Sequence, residues 1–260
     1  MKKLWNSFKI AFSMYSRIPM PASEWTEENT SYAMCFFPWV GAVIGMATWA
    51  VYQWKLLAGR QGAALDPLFF TVLLLILPVA ISGGIHMDGF LDTQDALSSW
   101  QPAERRLEIL KDPHTGAFAV LSCGVYFLMY LGVYASLTGR SVKLVCLGFL
   151  LSRTLSGISV LCFPQARKQG LAASFSRGAR KRTVLAVLFI YLGGIGAAML
   201  TAGGLAGLIC LLAAGGVFGY YYRMSRTKFG GVTGDLAGYF LQVCELAVAA
   251  AAVVATAAVV

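Results

Sequence analysis

The chain has 260 residues, a formal net charge of +9, and a composition that is 58% hydrophobic but only 13% charged. Soluble domains carry roughly 25% charged residues, so a water-soluble globule is excluded. The basic excess does not require nucleic acid, because the positive-inside bias of membrane proteins and anionic lipid account for it.

In chain order, residues 1–31 are amphipathic and interrupted by Pro19, Pro21 and acidic residues, which does not fit a cleavable signal peptide. Phe8, Phe12 and Tyr15 with Lys2, Lys3 and Lys9 predict a short interfacial helix. Apolar stretches near spanning length then follow at residues 34–54, 67–82, 117–137, 144–163, 184–201, 205–222 and 236–254. The second is short, and only Ala202-Gly203-Gly204 separates the fifth from the sixth, which predicts a tight helical hairpin. The expectation is an all-α, polytopic membrane bundle of about seven transmembrane helices. It forms a single transmembrane domain over residues 1–260 with cytoplasmic catalytic loops.

Lys and Arg set the expected orientation. With the N-terminus in the cytoplasm, only Lys55, Arg60, Arg140 and Lys143 of the 21 cationic side chains fall in outer loops, while Arg153 lies inside a span. The six cysteines all sit in apolar runs without a C-x-x-C pair and read as small hydrophobes. The stretch Arg177 to Arg182 is a juxtamembrane basic cluster, and residues 247–260 are low-complexity Ala/Val suited to lipid contact.

The densest chemistry lies directly after the second apolar run, in Gly83-Gly84-Ile85-His86-Met87-Asp88-Gly89-Phe90-Leu91-Asp92-Thr93-Gln94-Asp95. Asp88, Asp92 and Asp95 stand at i, i+4 and i+7, one stripe of a helix. Like charges that close repel unless a cation lies between them, and oxygen ligands at this density suggest Mg²⁺ rather than zinc. Gly83, Gly84 and Gly89 allow close approach of backbone or ligand. His86 falls just before the helix, as a general base or a hydrogen-bonded structural histidine.

Next, residues 101–116 read as a helix opened at Pro102 and closed by Pro113 and Gly116. Glu104 and Glu108 fit a solvated face, whereas Arg105, Arg106 and Lys111 could pair with a di- or triphosphate. The last cytoplasmic loop, from Lys228 through Gly230-Gly231-Val232-Thr233-Gly234-Asp235, combines a Gly-rich turn with an acid at a helix start. That shape can cradle phosphate, and Thr233 or Asp235 can equally act as a plain helix cap. Glu245 lies inside the final span, where a carboxylate needs a partner, and Arg153 is the obvious one, structural or functional. These residues leave two function classes: a metal-dependent phosphoryl or nucleotidyl transferase at the cytoplasmic interface, and a transporter. Acids clustered at one face favour the enzyme, since a transporter places them near mid-membrane.

At these residues the chain resembles the cobalamin synthase family of adenosylcobinamide-GDP ribazoletransferases. The markers run along nearly the whole chain: Ser16-Arg17-Ile18-Pro19-Met20-Pro21, Phe37-Pro38-Trp39-Val40-Gly41 through Gly45, the Gly83 to Asp95 block, Glu104-Arg105-Arg106-Leu107 to Lys111-Asp112, Arg153-Thr154-Leu155-Ser156-Gly157, and Gly230 to Asp235. Pro113-His114-Thr115 is a small departure. The resemblance implies a Mg²⁺-dependent enzyme of the prokaryotic plasma (inner) membrane. It would join adenosylcobinamide-GDP to α-ribazole or its 5′-phosphate, releasing GMP and completing the nucleotide loop of coenzyme B12. Under that reading Asp88 and Asp92 are Mg²⁺ ligands, and Asp95 is a third ligand or the base, with His86 competing for that role. Arg105, Lys111, Lys228 and Arg153 contact substrate or phosphate, and Gly231, Thr233, Gly234 and Asp235 bind the guanylate end or a second metal. The implied partners are the two substrates and the lipid bilayer, with no nucleic acid; a homo-oligomer is compatible with the sequence. The second enzyme reading is a CDP-alcohol phosphotransferase, whose Asp-Gly-x-x-Ala-Arg signature is matched only by Asp88-Gly89 before Leu91-Asp92.

Overall fold

A computed structural model describes residues 2–62, 65–167 and 170–258. The described residues form helices α1 (Lys2–Tyr15), α2 (Glu27–Thr30), α3 (Ala33–Arg60), α4 (Pro67–Ser82), α5 (Ile85–Ser98) and α6 (Ala103–Ile109), followed by α7 (Ala117–Ala135), α8 (Ser141–Cys162), α9 (Leu171–Gly178), α10 (Lys181–Gly203), α11 (Leu205–Phe229) and α12 (Gly234–Ala258). The only β pairing among them is an isolated bridge between Gln165 and Val232. Val259 and Val260, the end of the Ala/Val tail, lie outside the described residues.

Helices α3, α7, α8, α10, α11 and α12 are each long and apolar enough to cross a membrane. The chain is therefore a multi-pass membrane protein, because only a helix satisfies its own backbone groups in hydrocarbon. The expected second span differs from the rest. Helix α4 has 16 residues, a rise of about 24 Å, and meets the length only together with α5, from which it is bent by 93°. Its start is sharply defined: Asp66 Oδ1 accepts from the Leu68 amide at 2.7 Å, with Pro67 opening the helix. Its end is equally local. Gly83 and Gly84 follow one another at φ +69° and +81°, a left-handed pair that Cβ-bearing residues resist. Arg17 lies against this corner, its amide donating to Ile81 O at 2.8 Å.

Helix α8 is the axis of the bundle, buried along most of its length, whereas α7 and α10 turn most of theirs outward. Helix α3 approaches it through glycines. A Cβ on Gly41 would lie 2.3 Å from Phe149 O, and one on Gly45 would lie 2.8 Å from Cys146 O. This is small-residue packing, where association depends on close van der Waals contact rather than hydrophobic transfer. The expected α10–α11 hairpin turns at Gly204, with Gly207 tight against Met199 O. Helix α1 buries Ile10, Ala11 and Phe12 and turns Leu4 and Trp5 outward, the amphipathic helix expected from the sequence. The cysteines are unpaired, but Cys162 is exposed at the end of α8, so it does not share the packing role expected of all six.

Helices α8 and α12 are tied by charge. Arg153 Nη1 lies 2.5 Å from Glu245 Oε1, Ser152 Oγ donates to the same oxygen at 3.0 Å, and all three residues are buried. Two buried charges hold each other's desolvation cost in check, so losing one partner is worse than losing both.

Two outcomes follow for detergent-solubilised protein. Gly41→Ala should destabilise it by about 2 kcal/mol through overpacking, while Gly59→Ala, with open space around its Cβ position, should leave the thermal midpoint unchanged or slightly raised. Arg153→Met or Glu245→Gln alone should cost about 3–5 kcal/mol, and the double variant Arg153→Met/Glu245→Met should recover most of it. Thermal unfolding followed by circular dichroism reads both.

Candidate active site

Helix α5 crosses the first turn of α12 at backbone contact. A Cβ on Gly89 would stand 2.6 Å from Asp235 O, and one on Gly238 would stand 3.0 Å from His86 O. Only glycine allows this approach, and it sets Asp88 and Asp92 on α5 beside Asp235 at the start of α12. Helix α5, bent by 93° from α4, then continues over the N-terminus of α7 and so lies across the end of the bundle. The electrostatic consequence falls on Asp92. Burial, reinforced by the like charges of Asp88, Asp235 and Asp95, pushes its carboxyl up to about 7. A cluster that holds one of its own carboxyls this far above the usual range is short of positive charge.

Asp95, expected as a third ligand or the base, has another task. Its Oδ2 accepts from the Gly116 amide at 2.5 Å and its Oδ1 from the Ala119 amide at 2.8 Å. Both oxygens cap the first turn of α7, where amides are unsatisfied and the helix dipole favours an anion. A Cβ on Gly116 would lie 2.7 Å from those oxygens, so the glycine is required by the cap. Among the described residues, no three His, Cys, Asp or Glu side chains already form a metal-holding group. The stripe expected from i, i+4, i+7 spacing therefore divides: Asp88 and Asp92 join Asp235, and Asp95 turns to α7.

His86 is buried and lies against Tyr15, stacked at 5.9 Å between ring centroids, and against Phe37 at 5.8 Å. Its Nε2 has no hydrogen-bond partner. Burial, with the Arg153 charge as a lesser cause, holds the imidazole well below its usual range and so neutral. The ring faces a cavity of about 270 Å³ between α1, α3, α5, α8 and α12, at whose wall Asp88 and Asp235 also stand.

The cationic side chains are distributed differently from the expectation. Arg105 is exposed and paired with Glu108 on the surface of α6, and Lys111 and Lys228 are exposed. Arg153, expected at the substrate, is enclosed in its pair with Glu245. Two others are held inside the fold. Arg167 donates to Leu107 O and its charge acts on Asp235. Arg106 is buried, with Nη1 3.4 Å from Lys228 O and Nε unpartnered. Arg167 is brought in by the bridge beneath it: Ala166 N donates to Val232 O at 3.0 Å and Val232 N to Pro164 O at 2.8 Å. No local pattern in the sequence marks it, because its importance comes from a pairing with residues far along the chain.

That bridge also occupies part of the Gly-rich turn. Gly230 ends α11 at φ +74°. Gly231 packs so closely that a Cβ would lie 2.5 Å from both Ala166 N and Pro164 O. Its amide donates to Ser225 O at 3.0 Å. Thr233 Oγ1 accepts from the Leu236 amide at 3.2 Å and so caps α12. Gly231 and Thr233 therefore position the turn, and Gly234 and Asp235 are left beside the acid cluster.

The model of the cobalamin-5-phosphate synthase family matches residues 7–253. Curated relatives agree along the whole chain. A protein of Lachnoclostridium phytofermentans named adenosylcobinamide-GDP ribazoletransferase is 46% identical over 96% of this chain and 94% of its own length. Namesakes from Desulfitobacterium hafniense and Pseudomonas aeruginosa are 36% and 32% identical, each over 95% of this chain. No solved structure matches. The Gly83–Asp95 block, the Arg153 segment and the Gly230–Asp235 turn, which the fold gathers at or beside one end of the bundle, all lie within the matched region, and the chain belongs to the cobalamin-5-phosphate synthase family.

Proposed function

We infer that this chain is an adenosylcobinamide-GDP ribazoletransferase of coenzyme B12 synthesis. It joins adenosylcobinamide-GDP to α-ribazole, or to its 5′-phosphate, and releases GMP. The observation that carries this reading is the meeting of Asp88, Asp92 and Asp235 at the α5–α12 crossing, in a chain 46% identical to a curated relative of that name. Both the transporter reading and the CDP-alcohol phosphotransferase reading give way to the family.

The transfer requires a ribose hydroxyl to bond to the corrinoid-side phosphorus while the anhydride bond to GMP breaks and the hydroxyl proton moves to a base. Such a reaction depends on positioning and on neutralising charge. The donor set fits Mg²⁺, since that ion is commonly held by one or two carboxylates and completes its shell with water and substrate phosphate oxygens. Asp88, Asp92 and Asp235 would hold it, and it would supply charge neutralisation to the pyrophosphate. The protein's own residues do the rest. Arg167 stands beside Asp235 and meets phosphate oxygens, with Arg106, Lys228 and Lys111 as further cationic contacts. Asp95 positions α7 and thereby the floor of the site. The site loops and the N-terminus face the cytoplasm of a prokaryotic plasma membrane, the side favoured by the Lys and Arg distribution.

Asp88→Asn and Asp92→Asn should each lower turnover at least 100-fold, the scale of losing one charge-stabilising group, measured as GMP release from adenosylcobinamide-GDP. Added Mg²⁺ should raise the thermal midpoint of the wild type and not that of the double variant. Turnover at wild-type rates in both single variants would remove the proposed site. Orientation is read by an impermeant maleimide on right-side-out vesicles, in a background with the native cysteines replaced. Gly139→Cys should label directly and Gln101→Cys only after permeabilisation; the reverse pattern would invert the topology.

A further inference from the structure

The cavity beside His86 has a chemical character that the acid cluster alone does not explain. Its apolar lining includes Met14, Tyr15, Met34, Phe37 and Leu241, and its polar side chains include Asp88, Asp235, Ser156 and His86. His86 is 4% exposed and its Nε2 is without a partner. A buried polar atom left unsatisfied is costly, and the imidazole that carries it lines an open space large enough for a ligand group. We propose that this cavity is the base pocket for the acceptor nucleoside, taking an apolar, fused two-ring N-heteroaromatic base whose one free ring nitrogen meets the His86 imidazole. The assignment rests on the ribazoletransferase reading and deepens it.

Size excludes a corrinoid ring, since about 270 Å³ is below the usual range of whole small-ligand sites. Polarity excludes guanine. That base carries several donors and acceptors around its edge, and a wall of methionine and aromatic side chains would leave most of them unpaired. A methylated benzimidazole has a single unsubstituted ring nitrogen and otherwise presents carbon. It suits the aromatic faces of Tyr15, Phe37 and His86 and the sulfurs of Met14 and Met34. Placement fits as well. A base seated against His86 puts its ribose toward Asp88 and Asp235, where the hydroxyl must reach phosphorus. The pocket also gives a role to Ser156, from the Arg153–Gly157 segment, whose Arg153 is occupied elsewhere.

The test uses full-length protein in detergent, with α-ribazole as probe. Binding of α-ribazole alone is measured by equilibrium dialysis, and steady-state kinetics are run against each substrate. His86→Phe, which removes the imidazole, and Met34→Trp, which fills the cavity, should each weaken α-ribazole binding about tenfold or more. The KM for adenosylcobinamide-GDP should stay within twofold. The Met34 variant keeps the test valid if His86→Phe does not fold. In the wild type, the α-riboside of adenine should bind far more weakly than α-ribazole. Wild-type α-ribazole affinity in both variants overturns the assignment. So does a fall in kcat with unchanged α-ribazole affinity in the His86 variant, which would place His86 in proton transfer instead. A rise confined to the KM of the GDP-linked donor would assign the cavity to guanine and likewise overturn it. Failure of the underlying activity reading is separate: the wild type would then release no GMP from the donor with any nucleoside.

Discussion

The crossing of α5 over α12 at Gly89 and Gly238 is the contact on which the site depends. Two backbones meet at a distance that no side chain permits, and carboxylates from segments far apart in sequence are thereby held side by side. Their repulsion adds to burial in raising the Asp92 carboxyl. It is tolerated because the helices are held from elsewhere: α5 by the Gly83-Gly84 corner and the Asp95 cap on α7, α12 by its packing along α8. A divalent cation would relieve that repulsion, which makes the crossing both a structural joint and a charge trap.

The membrane part of the fold uses the same device. Glycines 41 and 45 bring α3 onto α8, and the Arg153–Glu245 pair fastens α8 to α12. Without a hydrophobic force between helices in lipid, such contacts must supply the specificity of association. The charge pair lies behind the cavity wall, close enough for Arg153 to act on His86. Scaffold and site therefore share an electrostatic environment, although Arg153 itself does not reach the acids' open side.

Much of the candidate site was legible because its residues fall in one short block. Asp88 and Asp92 are local in sequence, and their shared helix face needed only helical spacing, whereas His86, expected just before the helix, lies within its first turn. Asp95 turns toward α7 for a reason spacing cannot reveal. A helix stripe says which side chains point together, not which unsatisfied amides lie within reach, and the amides of Gly116 and Ala119 claimed it. Arg105 was preferred over Arg106 and Arg167 on proximity in sequence. The bridge-held Arg167 is near Asp235 only because the segment at residues 164–167 pairs with Val232.

The sequence by itself determined the helical, multi-pass character, the position of the spans and the presence of an acidic block, because hydrophobicity and helix period act over a few turns of chain. It also determined the Gly83-Gly84 corner as a place of close approach. Only the tertiary structure decided that α4 ends in a 93° bend, that Asp235 rather than Asp95 completes the acidic group, and that His86 opens onto an apolar cavity. The last two depend on contacts that no local pattern states, such as Gly89 against Asp235 and Asp95 against the amides of Gly116 and Ala119, and the distance between two helices is set by what their facing side chains leave room for.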